Sequence, residues 1–365
     1  MRLVVFGLAV SSSWGNGHAT LWRGLIGALT RVGHEVVFFE RDAPWYAENR
    51  DLDRLGAGAE LVLYPDWDAV LPRARTEAAR ADVAMVTSFC PDGPRASDLV
   101  LEAAPGITAF YDMDTPVTLD RLAGGETVDY LPPQGLGDFD LVLSYTGGRA
   151  LDLLRTRLGA RRVAALYGHV DPGTHRPGRP DPAFASDLSY LGTYAADRQA
   201  ALEELFIAPA RARPEKRFVL AGAGYPPDFP WTTNVFFVRH LPPADHPAFF
   251  ASSRLTLNVT RQAMAAMGHC PSGRLFEAAA CGVPVLSDVW EGLEDFFAPG
   301  EEILTARTTA DALAALDLSP GDLARIARAA RARVLEEHSS DVRARELVAL
   351  LQGAPGPASS VEELA

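Results

Sequence analysis

The sequence has few cysteines, no excess of positive charge and no long hydrophobic run, and each shortage excludes a class of protein. Its three cysteines, Cys90, Cys270 and Cys281, form neither a CxxC pair nor a Cys/His pattern. Structural zinc and a disulfide framework are therefore disfavoured, and a reducing cytoplasm is expected. A formal net charge of −13 repels nucleic-acid phosphates and anionic membrane surfaces, so no nucleic-acid partner is expected.

No apolar stretch approaches the roughly 20 residues that a membrane-spanning helix needs. The N-terminal apolar run, residues 3–10, lacks a clear small-residue cleavage site, which disfavours a signal peptide. We therefore expect a soluble, cytoplasmic protein without a transmembrane segment. What the sequence does have is 48% hydrophobic and 22% charged residues over 365 positions, which suits two domains with cores of their own.

The first half of the sequence alternates between buried-strand and helix patterns. Residues 3–8 form a short apolar run, residues 20–32 have a helical pattern, and residues 34–40 form the next strand. The alternation continues with strands at 83–88, 107–111 and 141–145 and helices at 96–104 and 149–158. Such alternation is typical of a doubly wound, mostly parallel sheet.

A glycine- and proline-rich segment, residues 168–180, interrupts this pattern and is predicted to be an interdomain linker. The alternation then restarts, with strands at 188–191, 218–221, 235–238, 255–259 and 283–287 and helices at 198–206, 247–252, 272–280 and about 320–351. The predicted fold class is α/β, with two Rossmann-like domains facing a central cleft. The predicted boundaries are 1–167 for the N-terminal domain, 168–180 for the linker, 181–352 for the C-terminal domain and 353–365 for a disordered tail.

Candidate chemistry begins in the loop after the first strand, because such sheets bind ligands at the carboxyl ends of their strands. Gly15, Asn16 and Gly17 open the following helix, and the glycines let the backbone approach a ligand. The loop is not a GxGxxG fingerprint, which weakens a dinucleotide interpretation. His18 can deprotonate a substrate hydroxyl, and the alternative is a helix-start histidine bonded to backbone.

Two carboxylates follow the strand predicted at residues 107–111. Asp112 and Asp114 point to the same side if the extended geometry persists. They are then candidates to bind Mg²⁺ or to orient a sugar hydroxyl. Because strand-end carboxylates are also common loop caps, we assign no metal ligand and leave the need for a divalent metal open.

The strongest local signal is the segment at residues 272–285. The carboxylate of Glu277, near a helix start, can accept two hydrogen bonds from a ribose diol, while free helix N–H groups and Arg274 can meet a diphosphate. Glu277 would then hold a nucleotide and perform no chemistry. The alternative is that Glu277 only favours the first half of the helix and that the alanine-rich run after it only packs closely.

Taken together, several stretches resemble the GT-B glycosyltransferases and, within them, the CgeB-like spore-maturation group, over nearly the whole chain. The matching stretches are residues 111–119, 187–194, 257–261, 274–282 and 290–294. The resemblance implies a nucleotide-sugar donor, expected to be a UDP-sugar, held mainly by the C-terminal domain. It also implies an acceptor held mainly by the N-terminal domain.

The resemblance also implies roles for individual residues. Glu277 looks like the glutamate that binds the donor ribose. From their places at strand ends, Gly15, Asn16 and Gly17 are the candidate acceptor or sugar loop. The catalytic candidates are His18, Asp112 and Asp114. The further donor-binding candidates are Gly192, Thr193, Tyr194, Arg198, Arg261, Ser272, Gly273, Arg274, Leu275 and Phe276.

One position departs from the family pattern. Many related retaining enzymes carry a second glutamate eight residues before the ribose-binding one, and this sequence has His269 there. A neutral imidazole cannot supply a fixed negative charge, so retention or inversion of the anomeric configuration stays open.

The predicted activity is transfer of a hexosyl or related group from a nucleotide sugar to an unidentified acceptor, with no required cofactor. Two alternatives stay open. One is a nucleotide-sugar epimerase that uses the same cleft without an acceptor. The other is a nucleotide-sugar-binding protein that has kept the fold and lost turnover. The base, the sugar, the acceptor and the oligomeric state cannot be read from residue identities.

Overall fold

The computed structural model describes residues 1–353 and divides the chain into two compact units. The first unit contains residues 1–167 and continues from Ser340, and the second contains residues 168–339. Residues 354–365 of the predicted tail lie outside the described part of the chain. Among residues 1–353, no helix is long and apolar enough to cross a bilayer.

The first unit contains a seven-stranded parallel sheet in the order β3-β2-β1-β4-β5-β6-β7. Its strands are β1 (Arg2–Gly7), β2 (Glu35–Arg41), β3 (Ala59–Tyr64), β4 (Val83–Thr87), β5 (Ile107–Asp112), β6 (Leu141–Ser144) and β7 (Val163–Ala165). Its helices are α1 (Gly17–Arg31), α2 (Pro44–Glu48), α3 (Trp67–Ala78), α4 (Gly93–Ala103), α5 (Thr115–Ala123) and α6 (Arg149–Leu158). The central strands are continuous apolar runs because helices cover both faces of a parallel sheet.

The second unit contains a six-stranded parallel sheet in the order β10-β9-β8-β11-β12-β13. Its strands are β8 (Leu188–Leu191), β9 (Phe218–Ala221), β10 (Val235–Val238), β11 (Thr256–Asn258), β12 (Val285–Ser287) and β13 (Leu304–Thr305). Its helices are α7 (Gln199–Leu202), α8 (Ala208–Ala212), α9 (His246–Ala251), α10 (Gln262–Met267), α11 (Gly273–Cys281), α12 (Thr309–Leu316) and α13 (Pro320–Glu337). The predicted α/β class with two parallel sheets is therefore confirmed.

Five elements of the first unit were not predicted: α2, β3, α3, α5 and β7. The burial of β3 alternates incompletely because it is the edge strand, and β7 has only three residues. Neither gives the continuous apolar run by which a central strand is recognised. A proline, Pro72, lies inside α3 and weakens its helical signal.

Two boundary predictions differ from the structure. The helices predicted at residues 320–351 are α13, which ends before His338, and α14 (Ser340–Leu351). α14 packs against α1 and belongs to the first unit, so the predicted C-terminal domain of residues 181–352 is wrong for this last helix. The predicted linker, residues 168–180, packs within the second unit, where His175 is fully buried.

In each sheet the strand order reverses at one point, and such a switch point is where open α/β sheets bind ligands. In the first unit the reversal lies between β1 and β4, and in the second it lies between β8 and β11. The chain leaves adjacent strands in opposite directions there, so the loops after them separate and leave a crevice. The loops after these four strands and their neighbours are therefore where each unit can bind a ligand.

Candidate functional site

In the first unit, His18 and Asp114 meet at the switch point. His18 is the second residue of α1, and Asp114 is the N-cap of α5. His18 Nε2 lies 2.8 Å from Asp114 Oδ2, and Ser88 Oγ donates to the same carboxylate oxygen at 3.1 Å. Both side chains are mostly buried, with 13% and 17% exposure. An imidazole held by a carboxylate in this way has its tautomer fixed and can exchange a proton with a substrate.

The loop before α1 is rigidly held, and this explains how His18 is aimed. Asn16 is the N-cap: its Oδ1 accepts from His18 N at 3.0 Å, and its amide donates to the carbonyls of Ala9 and Ser12. Gly15 has a φ of +61°, a left-handed conformation that suits glycine. The side chain of Asn16 is therefore committed to shaping the loop, and its predicted contact with a sugar stays a prediction.

Asp112 takes a different place from Asp114. The extended backbone ends at Asp112, where β5 stops, so the two carboxylates do not continue along one strand face. Asp112 is fully buried, and its Oδ1 accepts from Asp114 N at 3.0 Å. Burial raises the pKa of Asp112 to about 7, and the neighbouring Asp114 carboxylate adds to the rise. Asp112 thus braces the backbone beneath Asp114.

Two polar residues of this region were missed from the sequence, Ser88 and Glu40. Ser88 directly follows β4 and donates to Asp114, as described above. Glu40 is fully buried at the end of β2, and its carboxylate accepts from the backbone N–H groups of Val10 and Ser11 at 2.7 and 2.9 Å. The sequence signal that could have identified these residues is a polar residue at the end of a buried apolar strand beside the first loop.

In the second unit, the loop after β8 contains Gly192, Thr193 and Tyr194. Arg198 lies against it, with Nη1 donating to Thr193 O at 3.2 Å. The loop lies directly against the start of the next one, because a Cβ placed on Gly222 would come within 2.0 Å of Gly192 O. Arg198 therefore contacts the loop that contains Gly192, Thr193 and Tyr194, and the donor-binding role that the resemblance implies for these residues stays a prediction.

Arg261 follows β11 on the other side of this switch point. Its Nε lies 3.4 Å from Asp197 Oδ2, and the backbone N–H of Gln262 donates to the same oxygen at 3.1 Å. Asp197 immediately precedes Arg198 in the chain. The pairing of Arg261 with Asp197 was not predicted.

The start of α11 carries the central pair of the second unit. Ser272 is the N-cap, and its side chain accepts from Arg274 N at 3.3 Å. The guanidinium of Arg274 donates to Glu277 Oε2, one turn along the helix. Leu275 and Phe276 are fully buried in the core, so only their backbone groups are available to a ligand.

Glu277 is 7% exposed, and two buried histidines lie beside it. His175 Nε2 is 3.9 Å from Oε1, and His246 Nδ1 is 3.7 Å from Oε2. The three side chains place one ligand atom each within 4.8 Å of one another, and their chemistry suits Zn²⁺. The Arg274 guanidinium, bonded to Glu277 and 3.4 Å from His246 Nδ1, already puts a positive charge against the same lone pairs. A second cation there is opposed by Coulomb repulsion, so we assign no metal.

His269, at the position where the resemblance led us to expect a second glutamate, is paired with an acid. Its Nδ1 lies 2.9 Å from Asp295 Oδ2, and its φ of 44° is left-handed. A Cβ on Gly292 would come within 2.4 Å of this imidazole, so the ring is packed against backbone. The negative charge near this position therefore comes from Asp295 and from Glu291, whose Oε1 lies 4.0 Å from His269 Nε2.

The comparisons with known proteins concern the second half of the chain and the fold of the whole. A family model described as glycosyl transferase-like matches residues 198–349. Sucrose-phosphate synthase from Thermosynechococcus elongatus has a TM-score of 0.68 at 13% identity, covering 96% of this chain and 98% of that chain. HepE from Anabaena, in complex with UDP and glucose, has a TM-score of 0.65 at 13% identity, covering 96% and 99%.

The trehalose-6-phosphate synthase OtsA has a TM-score of 0.65 at 11% identity, covering 97% of this chain and 100% of that chain. The search among curated proteins found no match. The chain therefore has the fold of GT-B glycosyltransferase structures, as the sequence predicted.

Proposed function

We propose that this protein is a glycosyltransferase that moves a sugar from a nucleotide sugar, most simply a UDP-sugar, to a hydroxyl of an acceptor. The observation that carries the proposal is the Arg274–Glu277 pair at the start of α11, inside the segment that matches the glycosyl transferase-like model. HepE, which shares the fold, was solved with UDP and glucose. We further propose a hexosyl donor, membership of the CgeB-like group and a cytoplasmic setting, which three free, buried cysteines suit.

The donor half of the reaction is assigned to the second unit. Glu277 accepts hydrogen bonds from the ribose diol, because an ionised carboxylate is an acceptor-only group. Arg274 uses one N–H group on Glu277 and has others for a diphosphate oxygen. Backbone N–H groups at the start of α11, with Arg198 and Arg261, add positive potential where the leaving diphosphate gains charge.

The acceptor half is assigned to the His18–Asp114 dyad. With Nε2 held by Asp114, the proton of neutral His18 lies on that side and the lone pair lies on Nδ1. Among the described residues Nδ1 has no hydrogen-bond partner and is shielded from solvent. We propose that the bound acceptor reaches this nitrogen and gives it the hydroxyl proton as the oxygen attacks the anomeric carbon. The C–O bond to the diphosphate breaks in the same step, and Asp114 stabilises the imidazolium formed.

The test is donor consumption by the purified protein. A panel of UDP-sugars is incubated with and without candidate acceptors, release of UDP is measured, and products are identified by mass spectrometry and NMR. Glu277→Ala and Arg274→Ala should each weaken UDP binding in calorimetry by about tenfold or more, since each loses a charge-assisted contact. Glu301→Ala, an exposed acid of the same unit, is the control and should bind as the wild type does.

Two results would overturn the proposal. Wild-type affinity for UDP in both the Glu277 and Arg274 variants would remove the donor assignment. An epimerised sugar formed from the donor alone, with no transfer to any acceptor, would identify an isomerase.

A further inference from the structure

A pair of buried histidines lies behind the Arg274–Glu277 pair, and the mechanism above does not use it. His175 is fully buried, and His246 begins α9. His175 Nε2 lies 3.0 Å from His246 Nδ1, which in turn lies 3.4 Å from Arg274 Nη1. The histidines are therefore in direct contact with the side chains that are proposed to hold the nucleotide.

The hydrogen-bond partners determine where the protons of this pair lie. His246 Nε2 is 3.3 Å from Leu241 O, which can only accept, so this nitrogen carries the proton. His246 Nδ1 then has a lone pair that accepts from His175 Nε2 and from Arg274 Nη1. Burial lowers the pKa of both histidines, and Arg274 adds to the lowering for each, so the pair is neutral at neutral pH.

This arrangement gives the guanidinium of Arg274 two acceptors, Glu277 Oε2 and His246 Nδ1. Two acceptors in different directions fix both its position and its plane. The carboxylate of Glu277 is held in turn, because it is bonded to a guanidinium that cannot rotate freely. A buried ion pair is stable only when hydrogen bonds of this kind satisfy its remaining polar atoms.

We propose that His246, held by His175, positions the Arg274–Glu277 pair and so determines the preference of this site for ribonucleotides over 2′-deoxyribonucleotides. This inference rests on the proposed donor site and extends it. If the carboxylate of Glu277 is fixed, it can accept from both hydroxyls of a ribose at once. If it can rotate, it follows whichever hydroxyl is present and no longer distinguishes the two sugars. His246 and His175 are positioning residues and do not touch the nucleotide.

The test compares UDP with 2′-deoxy-UDP in calorimetry. The wild type should prefer UDP by about tenfold or more, which is the value of one hydrogen bond to a charged group. His246→Leu should bring the ratio of the two affinities close to one. His246→Asn places an amide oxygen near the position of Nδ1 and should keep most of the preference. His175→Gln keeps an N–H donor near Nε2 and should also keep it, whereas His175→Leu should not.

Phe249→Leu is the matched control, because the apolar side chain of Phe249 is fully buried on the same helix. It should lower the melting temperature without changing the ratio of affinities. If His246→Leu fails to fold, the comparison of His175→Leu with His175→Gln still decides the question. An unchanged ratio in a folded leucine variant would overturn the inference.

Two further outcomes separate this inference from the proposed function. If Glu277→Ala binds UDP as tightly as the wild type, the donor assignment itself fails. If Glu277→Ala loses UDP but His246→Leu keeps the full preference for ribose, only the positioning role fails. Stoichiometric zinc in protein dialysed against Zn²⁺, lost in His246→Leu, would also overturn the positioning role, because the histidine nitrogens would then be metal ligands.

Discussion

The Nε2 atom of His18 lies 2.8 Å from Oδ2 of Asp114, although 96 residues separate them in the chain. The fold makes this contact by placing the start of α1, after β1, beside the end of β5, with β4 and its Ser88 between the two strands. A carboxylate with two hydrogen-bond partners is fixed in direction. The imidazole that it holds is therefore fixed as well.

Replacing His18 with alanine should lower the turnover of transfer by about 10²–10⁴-fold, the usual contribution of a general base. The KM for the donor should change little, because His18 lies in the first unit and the proposed donor residues lie in the second. Steady-state kinetics with varied UDP-sugar measures both quantities. His34→Gln, in the same unit and outside the dyad, should behave as the wild type. A normal turnover for His18→Ala would remove the proposed base.

Asp114→Asn should reduce turnover less than His18→Ala does, because the imidazole remains but loses the carboxylate that fixes its tautomer and stabilises its charged form. Steady-state kinetics of the two variants and the wild type at saturating donor measures these turnovers. If Asp114→Asn and His18→Ala together lose as much as the product of the single losses, the two residues do not act as a unit.

Arg274→Lys should weaken the binding of UDP by about tenfold while affecting UMP less. Lysine keeps the charge but loses the fork of N–H groups with which arginine serves Glu277, His246 and a phosphate together. Calorimetric titration with the two nucleotides gives the comparison. Equal losses for UDP and UMP would show that Arg274 does not reach the second phosphate.

Asp112→Asn should raise the free energy of unfolding of the first unit at pH 8. Below pH 4 the increase should be smaller or absent. Because the pKa of Asp112 is raised to about 7 in the folded protein, its contribution to stability is fully present below the unfolded pKa of 3.8. That contribution is lost as the pH rises to about 7 and is absent above it. Urea unfolding of both proteins across this range measures the difference. A destabilised variant at pH 8 would mean that Asp112 is ionised and satisfied in its buried position.

Acid should destabilise the second unit through its two buried histidines. Their pKa values are lowered on folding, so the unfolded chain takes up protons near pH 6.5 while the folded chain does not. The free energy of unfolding should therefore fall as the pH drops below about 6.5. His246→Asn should show a smaller fall between pH 6.5 and 5 in urea unfolding. An identical slope in the variant would show that His246 does not titrate differently in the two states.

Much of the fold followed from the sequence because short apolar runs bounded by glycine indicate central parallel strands. β1, β8 and β9 were located in this way to within about a residue. The helix cap at Gly282 also followed, since its φ of +84° is the left-handed conformation that glycine favours. The edge elements β3 and β7 were missed because a short or half-exposed strand has no continuous apolar run.

The candidate site was predictable only in part. Glu277, Arg274, His18 and Asp114 were named because each follows a predicted strand or begins a predicted helix. Their neighbours Ser88, Asp197 and His246 also lie at the ends of predicted elements, but no local pattern shows that each contacts a site residue from a distant part of the chain. The sequence spacing predicted that the carboxylates of Asp112 and Asp114 point to the same side. The strand ends at Asp112, however, and the Asp112 carboxylate is buried in the core.

By itself, the sequence determined the class of the two sheets and the types of the groups at their strand ends, since periodicity and loop composition are local properties of the chain. Only the tertiary structure decided which of these groups meet. It placed α14 with the first unit, packed the predicted linker into the second, and brought His175 and His246 against Arg274 and Glu277. Such contacts depend on how strands are ordered within a sheet, and the order is set by long-range packing that no local pattern encodes.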